Sequence, residues 1–303
     1  MDRRDFLTLS GLAASGARVD RSLIGTAAGR TRPSPRSSLV GLTALALLAG
    51  YAATLRGMAA QYWNDEDMGH GFAVPIVVAW IIWRERDRWR ALPSEPSAWG
   101  FALLALGAAT QAAAAVGAGL FAGSLAFLIS VAGAVVCLGG FRLLRAWAFP
   151  FLLALFMLPK LAIVYNQATL PLQLLASRLA ASILTVSGVG VIREGNILDV
   201  GGHRVAVAEA CNGIRYLLPL GFTAVVFAYL SDPKPWMRLA VLAAAIPIAI
   251  FANAVRVAAA AWAPALDSGT LHQVAGWMIF TVSLAALVPL RGFFNLIYAR
   301  YHA

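Results

Sequence analysis

The chain has 303 residues and a mean hydropathy of +0.74, and only 13% of it is Asp, Glu, Lys or Arg, about half the charge an ordinary soluble domain carries. Residues 96–141 and 268–290 hold no charged side chain at all, and runs of that length read as bilayer-spanning helices. A soluble enzyme and a nucleic-acid-binding module are therefore excluded, and the formal charge of +10 is explained by where the cations sit.

Residues 1–36 carry seven arginines among Ser, Gly and Pro. They read as a disordered basic cytoplasmic tail or an over-extended start. The opening Asp2-Arg3-Arg4-Asp5-Phe6-Leu7 resembles a twin-arginine signal, but the apolar stretch behind it is broken by Gly11, Ser15 and Gly16, so the segment is set aside from the fold. Residues 37–295 form one membrane domain, and 296–303 a short cytoplasmic tail. Apolar runs at 38–55, 68–83, 98–116, 119–139, 146–159, 213–230, 239–258 and 272–290 predict an all-α polytopic protein of about eight transmembrane helices. Residues 161–190 are apolar but interrupted by Pro171 and Arg178 and preceded by Lys160, and read as interfacial or re-entrant. Residues 191–209 are rich in β-branched residues around Gly201-Gly202, the pattern of a short β-hairpin before the sixth helix.

Cytoplasmic loops collect Lys and Arg. With the N-terminus inside and 161–190 unspanned, 17 of the 24 Lys and Arg fall on inner segments. The hairpin then lies outside the cytoplasm. Cys211 opens the sixth helix, Arg256 nears the end of the seventh and His272 opens the eighth, all at the outer face. Loop charge alone brings a thiol, a guanidinium and an imidazole to one depth.

These three groups suit acyl transfer. A thiol attacks as the thiolate, which a nearby cation favours. His272 could take the thiol proton and return it to the leaving amine. Arg256, the only charge between Leu239 and Leu266, keeps its proton and suits stabilisation of an oxyanion. Gly213, following Cys211-Asn212, allows close approach of a substrate backbone. Each residue also has a structural reading: Cys211 as an apolar filler, Arg256 reaching toward lipid headgroups, His272 as a helix cap. Cys137 lies deep in an apolar run, far in sequence from Cys211, so free thiols are expected. His70, His203, His272 and His302 show no metal-ligand spacing, so neither metal nor cofactor is expected.

Three blocks resemble the exosortase/archaeosortase family: Glu209-Ala-Cys211-Asn212-Gly213-Ile-Arg215, Asn253-Ala-Val-Arg256-Val257, and His272-Gln-Val-Ala-Gly276-Trp277-Met-Ile-Phe280. A fourth, Asp67-Met-Gly-His70-Gly71, resembles a block near the second helix. Asn212 departs from the family's usual Ser. The resemblance covers roughly 40–295. It implies a cysteine peptidase or transpeptidase of the bacterial inner membrane with its site facing the periplasm. Its partners would be the lipid bilayer and exported proteins bearing a C-terminal sorting tail: a Pro-Glu-Pro-type motif, a membrane helix and a basic cluster. In that reading Cys211 is the nucleophile, Arg256 its electrostatic partner and His272 the acid/base. The acyl acceptor is open, an exopolysaccharide or another surface component among the candidates, and no nucleic acid is involved.

Supporting roles follow. Arg215 would contact the motif's Glu or a headgroup. Asn253 would position Arg256. Glu209 would pair with Arg204 or Arg256. Asp67 and His70 would orient the site or brace a loop. The substrate helix would pass through a gap between the sixth, seventh and eighth helices. The alternatives are a transporter or a non-catalytic component of polysaccharide export. A transporter would need Arg256 but not Cys211, and an assembly factor would need neither.

Overall fold

The computed structural model describes residues 35–65, 67–207, 214–266 and 269–302. It divides into two compact units, 1–42 and 43–303, and of the first only 35–42 are described. The elements in order are α1 (Pro35–Gly50), α2 (Ala52–Asn64), α3 (Ala73–Arg84), α4 (Arg86–Arg90), α5 (Trp99–Ala113), α6 (Gly119–Ala146), α7 (Ala148–Ala154), α8 (Ala162–Val186), β1 (Ile192–Glu194), β2 (Ile197–Val200), β3 (His203–Ala206), α9 (Ile214–Ser231), α10 (Pro235–Trp262) and α11 (Gly269–His302). This is an all-α polytopic membrane fold with one small sheet.

The expected count of eight spans is not confirmed. Among the described residues, five helices are long and apolar enough to cross a membrane, or six if the broken pair 38–50 and 52–64 is one span. Two expected spans are shorter apolar helices, Gly69–Arg84 and Ala148–Met157, while α9, described in full only over Leu217–Ser231, directly follows residues outside the described ones. At 1.5 Å per residue, helices of 10–17 residues fall short of a hydrocarbon core of about 30 Å. In exchange, residues 161–190 are no broken loop. They form the continuous helix α8, itself long and apolar enough to cross.

Contacts show where α8 runs. Leu172 and Ala176 line a small cavity with Ala249 and Asn253 of α10. Further along, Ala180 and Leu184 cluster with Val257, Ala258 and Ala261. α8 is therefore parallel to the last turns of α10 and leads to the sheet. Lys160, just before α8, shares a groove with Leu217 and Leu218 at the start of α9. The helix thus begins beside the start of α9, away from the opposite end of the bundle, where α9 finishes.

The sheet has order β1-β2-β3, both pairs antiparallel. Gly201 and Gly202 both adopt positive φ, +60° and +90°, the requirement of the two-residue type I′ turn. Leu198 and Val205 are cross-strand partners and bury their side chains against α8 and α10. The sheet thereby braces the segment that leads to Cys211.

α9, α10 and α11 pack through Leu220, Ala224, Ala228, Val241, Ala245, Ala249 and Leu287, all buried. Small residues let these helices approach closely, as membrane packing requires in the absence of a strong hydrophobic force. α7 runs antiparallel to α9, with Phe149 stacked on Tyr229 and Phe156 against Phe222.

α5 and α6 form a tight hairpin on Gly100, Gly107 and Gly133. A Cβ on Gly100 would lie 2.4 Å from Cys137 Sγ and 2.5 Å from the Gly133 carbonyl oxygen. Cys137 is therefore a packing residue of this pair. Gly100→Val is expected to cost about 3 kcal/mol, the upper part of the range for overpacking. The check is thermal unfolding in detergent, with Gly41→Val as control, since no atom lies within 4 Å of the Gly41 Cβ position.

Candidate active site

Arg256 sits on the last turns of α10 and is only 3% exposed. A guanidinium in that position must be partnered, because an isolated buried charge is costly. Its Nη2 lies 2.5 Å from His272 Nε2. The other ring nitrogen, Nδ1, is 2.8 Å from the Leu266 carbonyl oxygen, in the 3₁₀ turn Pro264–Leu266 that joins α10 to α11. Arg256 can only donate. Nε2 therefore accepts, and Nδ1–H donates to Leu266. Two contacts thus fix both the ring's orientation and its tautomer, as a backbone carbonyl does for many functional histidines.

Gly269 opens α11 with φ +75°, a conformation that favours glycine and lets the chain turn so that His272 faces back to α10. Asn253 stands one turn before Arg256 on the same face and is 2% exposed. Of the three groups expected at one depth, Cys211, Arg256 and His272, the described residues include Arg256 and His272, and these two are in contact. Cys211, Glu209, Asn212 and Gly213 lie outside the described residues, as does the side chain of Arg215. By chain order α9 begins at Ile214, three residues past Cys211. Arg204, one of two expected partners for Glu209, is engaged by Glu194 at 2.9 Å and Asp199 at 3.9 Å.

Asp67 belongs to an ion cluster, and His70 lies in the 3₁₀ turn Gly69–Phe72 just after it. Lys160 Nζ donates to Asp65 (2.8 Å) and Asp67 (2.8 Å), and Tyr165 Oη donates to Asp67 at 2.8 Å. The ammonium also lies 4.3 Å from the Tyr165 ring. This cluster ties the α2–α3 connection to the start of α8, which supports the bracing role for Asp67. Its members Asp65, Lys160 and Tyr165 were not singled out from sequence. The available signal was a lone lysine at the edge of an apolar run and two aspartates two residues apart after another.

Burial pulls the Lys160 ammonium toward a lower pKa, but the hydrogen bonds and charges of Asp65 and Asp67 outweigh it and raise the value above 10.5. A raised folded value means that this stabilisation is complete below the unfolded value and is lost only as pH rises through the folded one. Lys160 itself therefore gives no pH dependence of stability at neutral pH. Lys160→Met leaves two partly buried carboxylates facing each other and is expected to cost on the order of 2 kcal/mol, discounted for partial exposure. Chemical denaturation checks the value, and adding Asp67→Asn is expected to recover part of it.

The family model for transmembrane exosortases matches residues 62–289. No curated protein matches the chain, and no solved structure does.

Proposed function

Since the chain belongs to the transmembrane exosortase family, we propose that it is a membrane cysteine peptidase or transpeptidase that cuts the C-terminal sorting tail of exported proteins at the outer face of the inner membrane. The observation that carries this reading is the contact between the buried Arg256 and His272.

The steps follow from these groups. Cys211 gives its thiol proton to His272 Nε2, and the thiolate attacks the substrate carbonyl carbon. Arg256 stands against the imidazole in the resting state. It turns its guanidinium toward the oxygen that gains negative charge, which frees Nε2 for the proton. Collapse breaks the C–N bond, and His272 gives the proton to the leaving amine. The acyl group stays on Cys211 as a thioester. An acceptor bearing a hydroxyl or amine, or water, then attacks the thioester, gives up a proton through His272, and restores the thiol. The Leu266 carbonyl keeps Nδ1 protonated through the cycle. Holding the substrate in the membrane replaces part of the usual binding energy by confinement.

The test is co-expression with a secreted reporter bearing a Pro-Glu-Pro-type tail, an apolar helix and a basic end. A shorter reporter is expected only when both enzyme and motif are present. Identical mobility with and without the enzyme contradicts the reading.

A further inference from the structure

We propose that the bend between α6 and α7 holds an anionic phospholipid by its phosphate, at the end of the bundle opposite to Arg256 and His272. The proposal does not rest on the peptidase reading.

The bend starts at Gly140. Its φ of +82° breaks α6, in a region that favours glycine, and a Cβ there would lie 2.0 Å from the Glu95 carbonyl oxygen. Residues 141–146 therefore leave the line of α6, and Trp147 (φ −90°, ψ 10°) separates them from α7. A groove of about 590 Å³ follows this bend, lined by Phe141, Arg142, Leu144, Arg145, Ala148 and Phe151. That volume is within the range of about 300–1,000 Å³ typical of ligand sites.

The lining joins positive charge to an apolar wall. Arg142 and Arg145 are three residues apart, which makes them neighbours on a helical face. Arg145 makes no ion pair among the described residues. Arg142 Nη1 lies 3.0 Å from Glu95 Oε1, with the two side chains 60% and 53% exposed. Such an exposed pair is weak, and a guanidinium has five donors, so Arg142 can keep Glu95 and still donate to a phosphate. Phe141, 52% exposed, stands in the same groove with Leu144, Ala148 and Phe151. The occupant that meets both features is an anion joined to hydrocarbon. Phosphate matches the arginine fork, and acyl chains match the wall. An acidic peptide would supply the anion but leave backbone N–H and C=O groups unpaired against the apolar side chains.

The position suits a headgroup. Phe149, next to Ala148, stacks on Tyr229, and Arg238 lies over the same ring, 4.7 Å from its centroid. Arg238 and Arg256 are both on α10, 18 residues apart (256 − 238), which is about 27 Å at 1.5 Å per residue. The arginines of 84–90 are at the groove's end too, since Trp89 packs on Trp147 and Glu85 accepts a hydrogen bond from Tyr229. Cations collect on the cytoplasmic side of a membrane protein, and basic pockets there bind acidic headgroups.

Native mass spectrometry of the full-length protein in detergent, titrated with phosphatidylglycerol or with phosphatidylcholine of the same acyl chains, counts the bound lipid. The wild type is expected to retain one phosphatidylglycerol and to prefer it to phosphatidylcholine. Each cation near an anionic headgroup is worth about fivefold, and Glu95 offsets part of one, so Arg142→Gln with Arg145→Gln is expected to weaken binding by roughly tenfold or more. Arg86→Gln with Arg90→Gln removes the same charge at the same end and is expected to leave binding unchanged. Ala148→Trp keeps both arginines but fills the groove, and is expected to weaken binding as well; it carries the test alone if the double variant fails to elute as the wild type does by size exclusion. Equal binding of the two lipids, equal loss in the two double variants, wild-type binding by Ala148→Trp, or displacement of the lipid by inorganic phosphate would each overturn the proposal. Equal loss would assign the effect to diffuse charge, and displacement would assign the arginines to free phosphate.

Discussion

Cys211→Ala is expected to abolish processing of a tailed reporter while the protein still accumulates in the membrane. The thiol is the only group in the proposed mechanism that forms a bond to substrate. Removing a nucleophile costs about 10⁴-fold or more in related acyl-transfer designs, with only binding and oxyanion contributions left. Cys137 cannot substitute, because it is packed against Gly100 in the α5–α6 hairpin. Cys137→Ala is therefore expected to process normally. The measurement is the ratio of cut to uncut reporter, normalised to enzyme in the membrane fraction. Equal cutting by Cys211→Ala and wild type would favour a transporter or assembly role.

Arg256→Gln should lower processing by about 10²–10³-fold, the usual effect of deleting one donor from an oxyanion site. Glutamine keeps much of the volume and can still hydrogen-bond His272, so loss of activity is not loss of fold. Arg256→Lys keeps the charge but not the planar fork, and should recover only part of the rate. His272→Gln should fall at least as far, because it removes the proton carrier. Arg256 and His272 touch, so the double variant should be much less than multiplicatively impaired. Additive losses would show that the pair does not act as a unit.

Much of this site was readable from the sequence for a physical reason. A charge inside an apolar run is costly enough to need a function or a partner, so Arg256 stood out by itself. Loop charge then put His272 at the same depth, and Asn253 came from the block that resembles the family's. The hydrogen bond from His272 to the Leu266 carbonyl could not be read in advance, because it depends on the turn between α10 and α11. The Lys160 cluster was missed because Asp65 and Lys160 are 95 residues apart, and neither is unusual in its own neighbourhood.

Membrane character was legible from composition, but the number of spans was not. Apolar runs near 68–83 and 146–159 looked like crossings because hydropathy does not register where a helix breaks. Gly69–Phe72 forms a 3₁₀ turn before α3, and α7 ends in another at Leu155–Met157. Conversely, Pro171 suggested an interruption in 161–190, yet α8 continues through it. The two-glycine turn was correctly located, while the third strand was hidden because β1 is only three residues long.

The central claim is that the acyl group passes through a thioester on Cys211. The most direct measurement is peptide mass mapping of enzyme recovered from denatured cells co-expressing the reporter, with and without neutral hydroxylamine. The account predicts a reporter-derived acyl fragment on the peptide containing Cys211, released by hydroxylamine and absent from Cys211→Ser treated in the same way. Reporter cutting accompanied by an adduct on another residue, or by a hydroxylamine-resistant link at position 211, would contradict it.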